Sequence, residues 1–292
     1  FFQIFGRYSY SLSKLIFTIY YGALLFSVWA LLRSQSQRWL GPLGVLLIAT
    51  TPIIFEHATI GYVNLPFTYY LVTGFIIFIE GLHDRVNRNM WMGALLLGLA
   101  VWTRPEGTYL VLLGLVVLGI ASVFLKLEIR NSFQPIVLVL GILLPWLAFS
   151  ALNSDRGFAG DSVASMLSGW SQGAFNLEAV YWTARYSARQ VIDPGVWGFI
   201  LPVTALMLLV GWRSFSSEQR VTFYLFAAVL ASMVITIFIY FYLASFTSDI
   251  HYLLGTSVNR IFMPGWVFAA VMPLFILRRI SDGSQGGLRS AQ

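Results

Sequence analysis

An all-α fold, a polytopic transmembrane helical bundle, is what this sequence predicts, and three observations carry that prediction. Of its 292 residues, 58% are hydrophobic and only 10% are charged. A soluble domain carries roughly a quarter charged residues, so most of this chain has no polar face to offer water. Apolar stretches recur along its length, divided by short polar segments. Lysine and arginine collect in alternate segments, as in a chain threaded back and forth through a bilayer. The absence of cysteine excludes disulfides and thiolate metal sites. The opening on Phe1, with no initiator methionine and no leader pattern, reads as a piece of a longer protein.

The apolar stretches lie at 15–32, 43–55, 66–82, 91–102, 107–125, 136–152, 197–211, 221–244 and 264–277, which predicts about nine spans. Those at 43–55, 91–102, 197–211 and 264–277 are shorter than the roughly 17–25 residues of a lone spanning helix, so each is open to being a broken or re-entrant element. A single helix over 91–125 would run about 50 Å, well beyond a hydrocarbon core of roughly 30 Å. It must break, and Thr103-Arg104-Pro105-Glu106-Gly107 is the place, because proline and glycine interrupt helices. With that break, Arg33, Arg38, Arg85, Arg88, Lys126, Arg130, Arg213, Arg220, Arg278, Arg279 and Arg289 all fall on one side, which is assigned as cytoplasmic. Segments 1–14, 56–65, 103–106, 153–196 and 245–263 then face outward. The net charge of +6 is mostly this bias, and no nucleic-acid motif accompanies it.

The whole of 1–292 reads as one transmembrane domain, with an outward loop at 153–196 that predicts two amphipathic interfacial helices. Val163, Met166, Leu167 and Trp170 would form one stripe, capped at Asp161. Leu177, Val180, Tyr181, Ala184, Ala188 and Val191 would form the other, opposite Glu178, Trp182, Arg185 and Arg189, with Asn176 as cap and Asp193-Pro194-Gly195 as stop.

The outward side also holds polar residues that an inert span does not need. Glu56 and His57 lead into Gly61-Tyr62-Val63-Asn64-Leu65-Pro66. An ionisable residue near lipid is a functional candidate, although in the headgroup zone its cost largely vanishes. Thr103 followed by Glu106 is a capping-box pattern. Arg104 beside a helix N-terminus also suits an anion. The segment His251 to Arg260 precedes the last span, where Arg260 is open to snorkelling or to binding an anion. No spacing is specific for a metal, and there is no Walker loop or Rossmann fingerprint.

Thr51-Pro52, Gly61-Tyr62-Val63-Asn64-Leu65-Pro66, Gly98-Leu99-Ala100-Val101-Trp102-Thr103-Arg104-Pro105-Glu106-Gly107 and the late His251 to Arg260 segment together resemble the C-type superfamily of membrane glycosyltransferases. That superfamily includes protein mannosyltransferases and lipid A sugar transferases. The resemblance implies transfer of a sugar from a polyprenyl-phosphate donor to a lipid, glycan or protein acceptor. It places the chain in a bacterial inner membrane among membrane lipids, with the site facing the periplasm or exterior; the residues themselves indicate no cofactor, with a divalent metal left open. It implies that Arg104 and Arg260 bind the donor phosphate, that Glu56 or Glu106 supplies or orients the base, and that His57, Tyr62, Asn64 and His251 touch substrate. The family's principal aspartate belongs to an outward loop before the span at 15–32, so the main base is expected upstream of Phe1. Asn64 stands where relatives commonly carry aspartate, and an amide cannot act as a carboxylate base. Inactivity of this fragment alone is therefore also expected. A transporter or flippase built on broken helices and a non-catalytic member of the same fold are the alternatives.

Overall fold

The computed structural model describes residues 10–34, 37–127, 133–152, 177–191, 193–245 and 249–289. Among them every regular element is helical: α1 (Tyr10–Leu32), α2 (Leu40–Ala49), α3 (Pro52–Ile60), α4 (Asn64–Asp84), α5 (Asn87–Thr103), α6 (Pro105–Phe124), α7 (Phe133–Leu152), α8 (Leu177–Val191), α9 (Pro194–Trp197), α10 (Ile200–Gly211), α11 (Ser217–Ala244) and α12 (Ile250–Arg289). Five are long and apolar enough to cross a membrane: Lys14–Leu32 of α1, then α4, α6, α11 and Ile250–Arg279 of α12. Helices α2 and α3 make a sixth candidate only if taken together, because the chain bends by 65° between them. The chain is an integral membrane protein, and by this criterion its described residues hold five or six long crossings. The shortfall from about nine lies in α5, α7 and α10: α5 and the apolar part of α7 (Phe133–Phe149) stand at the lower limit of a lone span, and α10 (Ile200–Gly211) falls well below it.

Three sequence expectations change. The stretch 43–55 is two helices, with Pro52 opening the second, and Glu56 and His57 ride on α3 instead of in a loop. The last span does not begin at Pro264. Helix α12 starts at Ile250 and runs through both Pro264 and Pro273, so the segment from His251 to Arg260 is helical. Prolines are tolerated inside membrane helices because neighbouring groups and local adjustment re-satisfy the freed carbonyls. The predicted helix at 161–170 and the Asn176 cap lie outside the described residues.

Helix α12 is the central element. From Ile261 to Ile276 every side chain but Trp266 is fully buried, as a helix apolar on all faces requires. Phe268 stacks on Phe226 of α11 at 5.0 Å and meets Phe75 of α4 at 6.4 Å. Helices α4 and α5 approach closely because Gly93 has no side chain: a Cβ there would lie 2.7 Å from the Phe78 nitrogen and 2.8 Å from the Gly74 carbonyl oxygen.

The end of the bundle where α4 stops is fastened by charge. Arg278 donates to the Leu31 carbonyl at 2.6 Å and to Glu80 Oε1 at 3.2 Å, and Glu80 Oε2 accepts from Asn89 at 3.4 Å. Arg279 pairs with Asp84, which also meets His83 at 3.0 Å. These bonds tie the ends of α1 and α4 to α12.

Helix α8 packs on α11 and α12 with a face the sequence did not single out. Ala179, Thr183 and Ser187 are buried, while the apolar stripe of Leu177, Val180, Tyr181, Ala184 and Ala188 is exposed. Small residues let helix backbones approach closely, which leaves the bulky stripe free. Helix α8 ends at Val191, before Asp193-Pro194-Gly195, and Asp193 also caps α9 by accepting from the Gly195 amide at 2.8 Å.

Two outcomes follow. Gly93→Leu forces a side chain into the α4 backbone and is expected to destabilise by about 3 kcal/mol or more, read as aggregation on size-exclusion chromatography in detergent. Because the chain has no cysteine, single-cysteine labelling reports the rotation of α8. Arg185→Cys is expected to react readily with a maleimide and Thr183→Cys to be protected; equal reactivity would contradict the packing face.

Candidate functional site

At the end opposite the Arg278–Glu80 cluster, the α3–α4 turn, the α5–α6 break, the last turns of α11 and the early turns of α12 converge on one cavity. It holds about 340 Å³ and is lined by Tyr62, Val63, Asn64, Thr103, Arg104, Pro105, Glu106, Tyr109, Tyr240 and Arg260. That volume falls within the roughly 300–1,000 Å³ of small-molecule sites.

Each side chain is placed by a local feature of the sequence. Gly61 closes α3 at φ +83°, a left-handed conformation that glycine adopts without steric cost. The turn delivers Tyr62 to the cavity rim and Asn64 to the first position of α4. Arg104 is extended, φ −152° and ψ 141°, because a residue before proline is driven out of the helical region. Its side chain leaves the break sideways. Glu106 then falls in the first turn of α6, where the helix dipole favours a negative charge.

These placements join into a network. Arg104 grips Glu106 with two donors, Nε to Oε2 at 3.1 Å and Nη2 to Oε1 at 2.6 Å. Its Nη1 donates to Asn64 Oδ1 across 40 residues of sequence. The guanidinium carbon stands 5.9 Å from the Phe67 ring centre. The predicted capping box does not form: the Thr103 hydroxyl donates back to the Ala100 carbonyl at 2.7 Å, and Glu106 is taken by Arg104.

Arg260 is held differently. Its Nη2 donates to Ser257 Oγ at 2.9 Å and its guanidinium carbon lies 5.5 Å from the Tyr62 ring centre, while Nε is buried with no partner. Among the described residues no carboxylate pairs with it. Arg104 and Glu106 largely offset each other, so among the described residues Arg260 leaves the cavity with one uncompensated positive charge.

A second, apolar groove of about 390 Å³ runs between α6 and α11. Its walls are Leu112, Leu113, Val116, Thr236, Ile239 and Leu243, and it shares Tyr109 and Tyr240 with the charged cavity. The two hollows therefore meet at a pair of tyrosines. Together they place the Arg260 guanidinium in a polar cavity that adjoins an apolar groove.

Of the residues singled out from the sequence, Tyr62, Asn64, Arg104, Glu106 and Arg260 come together on the cavity wall. His57 does not line it: it is 2% exposed, behind the wall, with Nδ1 3.5 Å from Asn64 Nδ2. Glu56 is exposed on α3, away from the cavity. His251 is exposed on α12 and packs on Trp182 at 4.7 Å and Tyr186 at 6.2 Å, again apart from the cavity. Tyr109 and Tyr240 were missed. The signal for Tyr109 was its place one helical turn after Glu106, on the same face of α6. Among the described residues no three His, Asp or Glu side chains gather as a metal site would need.

No family model matches the chain, and neither a curated protein nor a solved structure matches it.

The charge balance has a measurable consequence. Glu106→Gln exposes a second uncompensated guanidinium and is expected to tighten binding of inorganic phosphate about tenfold, measured by isothermal titration in detergent. Arg260→Ala is expected to abolish it. Unchanged binding in both variants would remove the anion reading of the cavity.

Proposed function

We propose that this protein is a membrane glycosyltransferase that takes a sugar from a polyprenyl-phosphate donor and passes it to an acceptor hydroxyl. The observation that carries the reading is the unneutralised Arg260 in a cavity that opens, past Tyr109 and Tyr240, into an apolar groove between helices. A sugar joined through one phosphate to a polyprenyl chain has the matching pattern: a polar head, one negative charge and a long apolar tail. The single excess positive charge suits a phosphodiester better than a diphosphate. Counting the bent α2–α3 pair and the shorter α5, α7 and α10 as crossings beside the five long helices gives nine passes, and the arginine-rich end then faces the cytoplasm. On that topology the cavity faces outward, to the periplasm or exterior of a bacterial inner membrane.

In the reaction, the acceptor oxygen attacks the anomeric carbon as its bond to the phosphate oxygen breaks. The acceptor's proton passes to a carboxylate, and polyprenyl phosphate leaves. Charge building on the leaving phosphate is met by Arg260 and by the two guanidinium N–H groups of Arg104 that Glu106 and Asn64 leave unengaged. Glu106 fixes the Arg104 fork and is the carboxylate on the cavity wall to which the departing proton is assigned. Tyr62 lies beneath Arg260 as a cation–π support.

The test is release of polyprenyl phosphate from a radiolabelled polyprenyl-phosphate sugar by the full-length protein, with and without acceptors. Arg260→Ala is expected to lower transfer about 100-fold or more, the scale of losing a donor to developing charge. Val116→Trp, which fills the apolar groove, is expected to raise the donor KM and leave kcat nearly unchanged. Uptake of substrate into proteoliposomes with no covalent product would replace this reading with a transporter.

A further inference from the structure

Among the described residues His57 is the one buried ionisable residue that reaches the supports of both arginines without touching the cavity. Its Nδ1 lies 3.5 Å from Asn64 Nδ2, and its ring centre lies 5.4 Å from that of Tyr62. Asn64 in turn accepts from Arg104, and Tyr62 lies under Arg260. The orientation of the Asn64 amide follows from chemistry. Guanidinium only donates, so Oδ1 must face Arg104 and Nδ2 must face the imidazole. His57 Nδ1 is then the acceptor, and the ring proton sits on Nε2.

We infer that His57 is a positioning residue: it holds the Asn64 amide in the one orientation that receives Arg104, and it backs the Tyr62 ring on which Arg260 rests. Without an acceptor at this point, the Asn64 NH₂ would be buried and unpaired, since Asn64 is 3% exposed. Rotating the amide to relieve that would set donor against donor at Arg104. The imidazole thus couples the α3–α4 turn to the α5–α6 break. A ring of the same shape without the nitrogen would support Tyr62 but not Asn64. The consequence for ligand affinity rests on the anion site proposed above, whereas the contacts themselves belong to the chain alone.

The experiment uses the full chain in detergent with farnesyl monophosphate as probe. His57→Phe is expected to weaken binding about tenfold with an unchanged melting temperature, and His57→Gln, which restores an acceptor, to recover most of the loss. Because His57 acts through Asn64, the double variant His57→Phe/Asn64→Ala is expected to bind no worse than Asn64→Ala. Wild-type affinity in His57→Phe, or losses that add in the double variant, would overturn the inference. A ligand-free readout keeps it separable from the functional proposal. The ¹⁵N spectrum of the chain's three histidines, assigned with His57→Phe, is expected to show an unprotonated Nδ1 at His57 whose resonance moves in Asn64→Ala. A protonated Nδ1, or a resonance that Asn64→Ala leaves in place, would overturn the positioning role even if the probe binds. Failure of the wild type to bind the probe, with the expected ¹⁵N result, would overturn the transferase reading and leave the positioning role standing.

Discussion

The three-way bonding of Arg104 to Glu106 and Asn64 is the interaction on which the charged end of this bundle depends. It forms because Pro105 denies Arg104 a helical conformation and turns its side chain out of the α5–α6 line. Had the helix continued, Arg104 and Glu106 would lie two residues apart on different faces, and neither could reach Asn64. The same break divides a stretch too long for one crossing into α5 and α6. One proline thus solves a membrane-length problem and builds half of a polar site.

The central helix supplies the other half. Helix α12 is apolar on all sides in its middle and charged near both described ends, and the two charged regions behave differently. Arg278 and Arg279 are matched by Glu80 and Asp84, so that end is an electrostatic fastener. Among the described residues Arg260 has a hydroxyl and an aromatic face but no carboxylate. Desolvating a charge without a partner is costly, so an unmatched arginine in a cavity marks where an external anion would supply what the chain does not. On the proposed reading, the apolar groove beginning at Tyr109 and Tyr240 would take the apolar continuation of that anion.

Much of the fold was legible because composition and spacing act through length. The break at Thr103–Gly107 follows from the span limit, whereas a shared site for Arg104, Asn64, Tyr62 and Arg260 is what the family resemblance implies, together with Glu56, His57 and His251, which lie off the cavity. What the sequence hid was geometry between distant elements. Pro264 looked like a span start because proline usually punctuates helices, yet α12 passes through it and carries His251 and Arg260 on helical turns. The Thr103–Glu106 capping pattern lost to a stronger partner, since a bidentate guanidinium pair outweighs a bond to a backbone amide. Periodicity locates the apolar stripe of α8 without showing that the Ala179, Thr183 and Ser187 face is the one that packs on protein. Tyr109 and Tyr240 sit in otherwise apolar helices, and only the approach of α6 to α11 gives them a common role.

A structure of the full-length protein in a lipid nanodisc with a polyprenyl phosphate tests the account most directly. The phosphate is expected between Arg260 and Arg104, within hydrogen-bond reach of both, with the first isoprene units passing Tyr109 and Tyr240 into the groove along Val116 and Leu243. A lipid phosphate bound elsewhere, with Arg260 left facing an empty cavity, would contradict it.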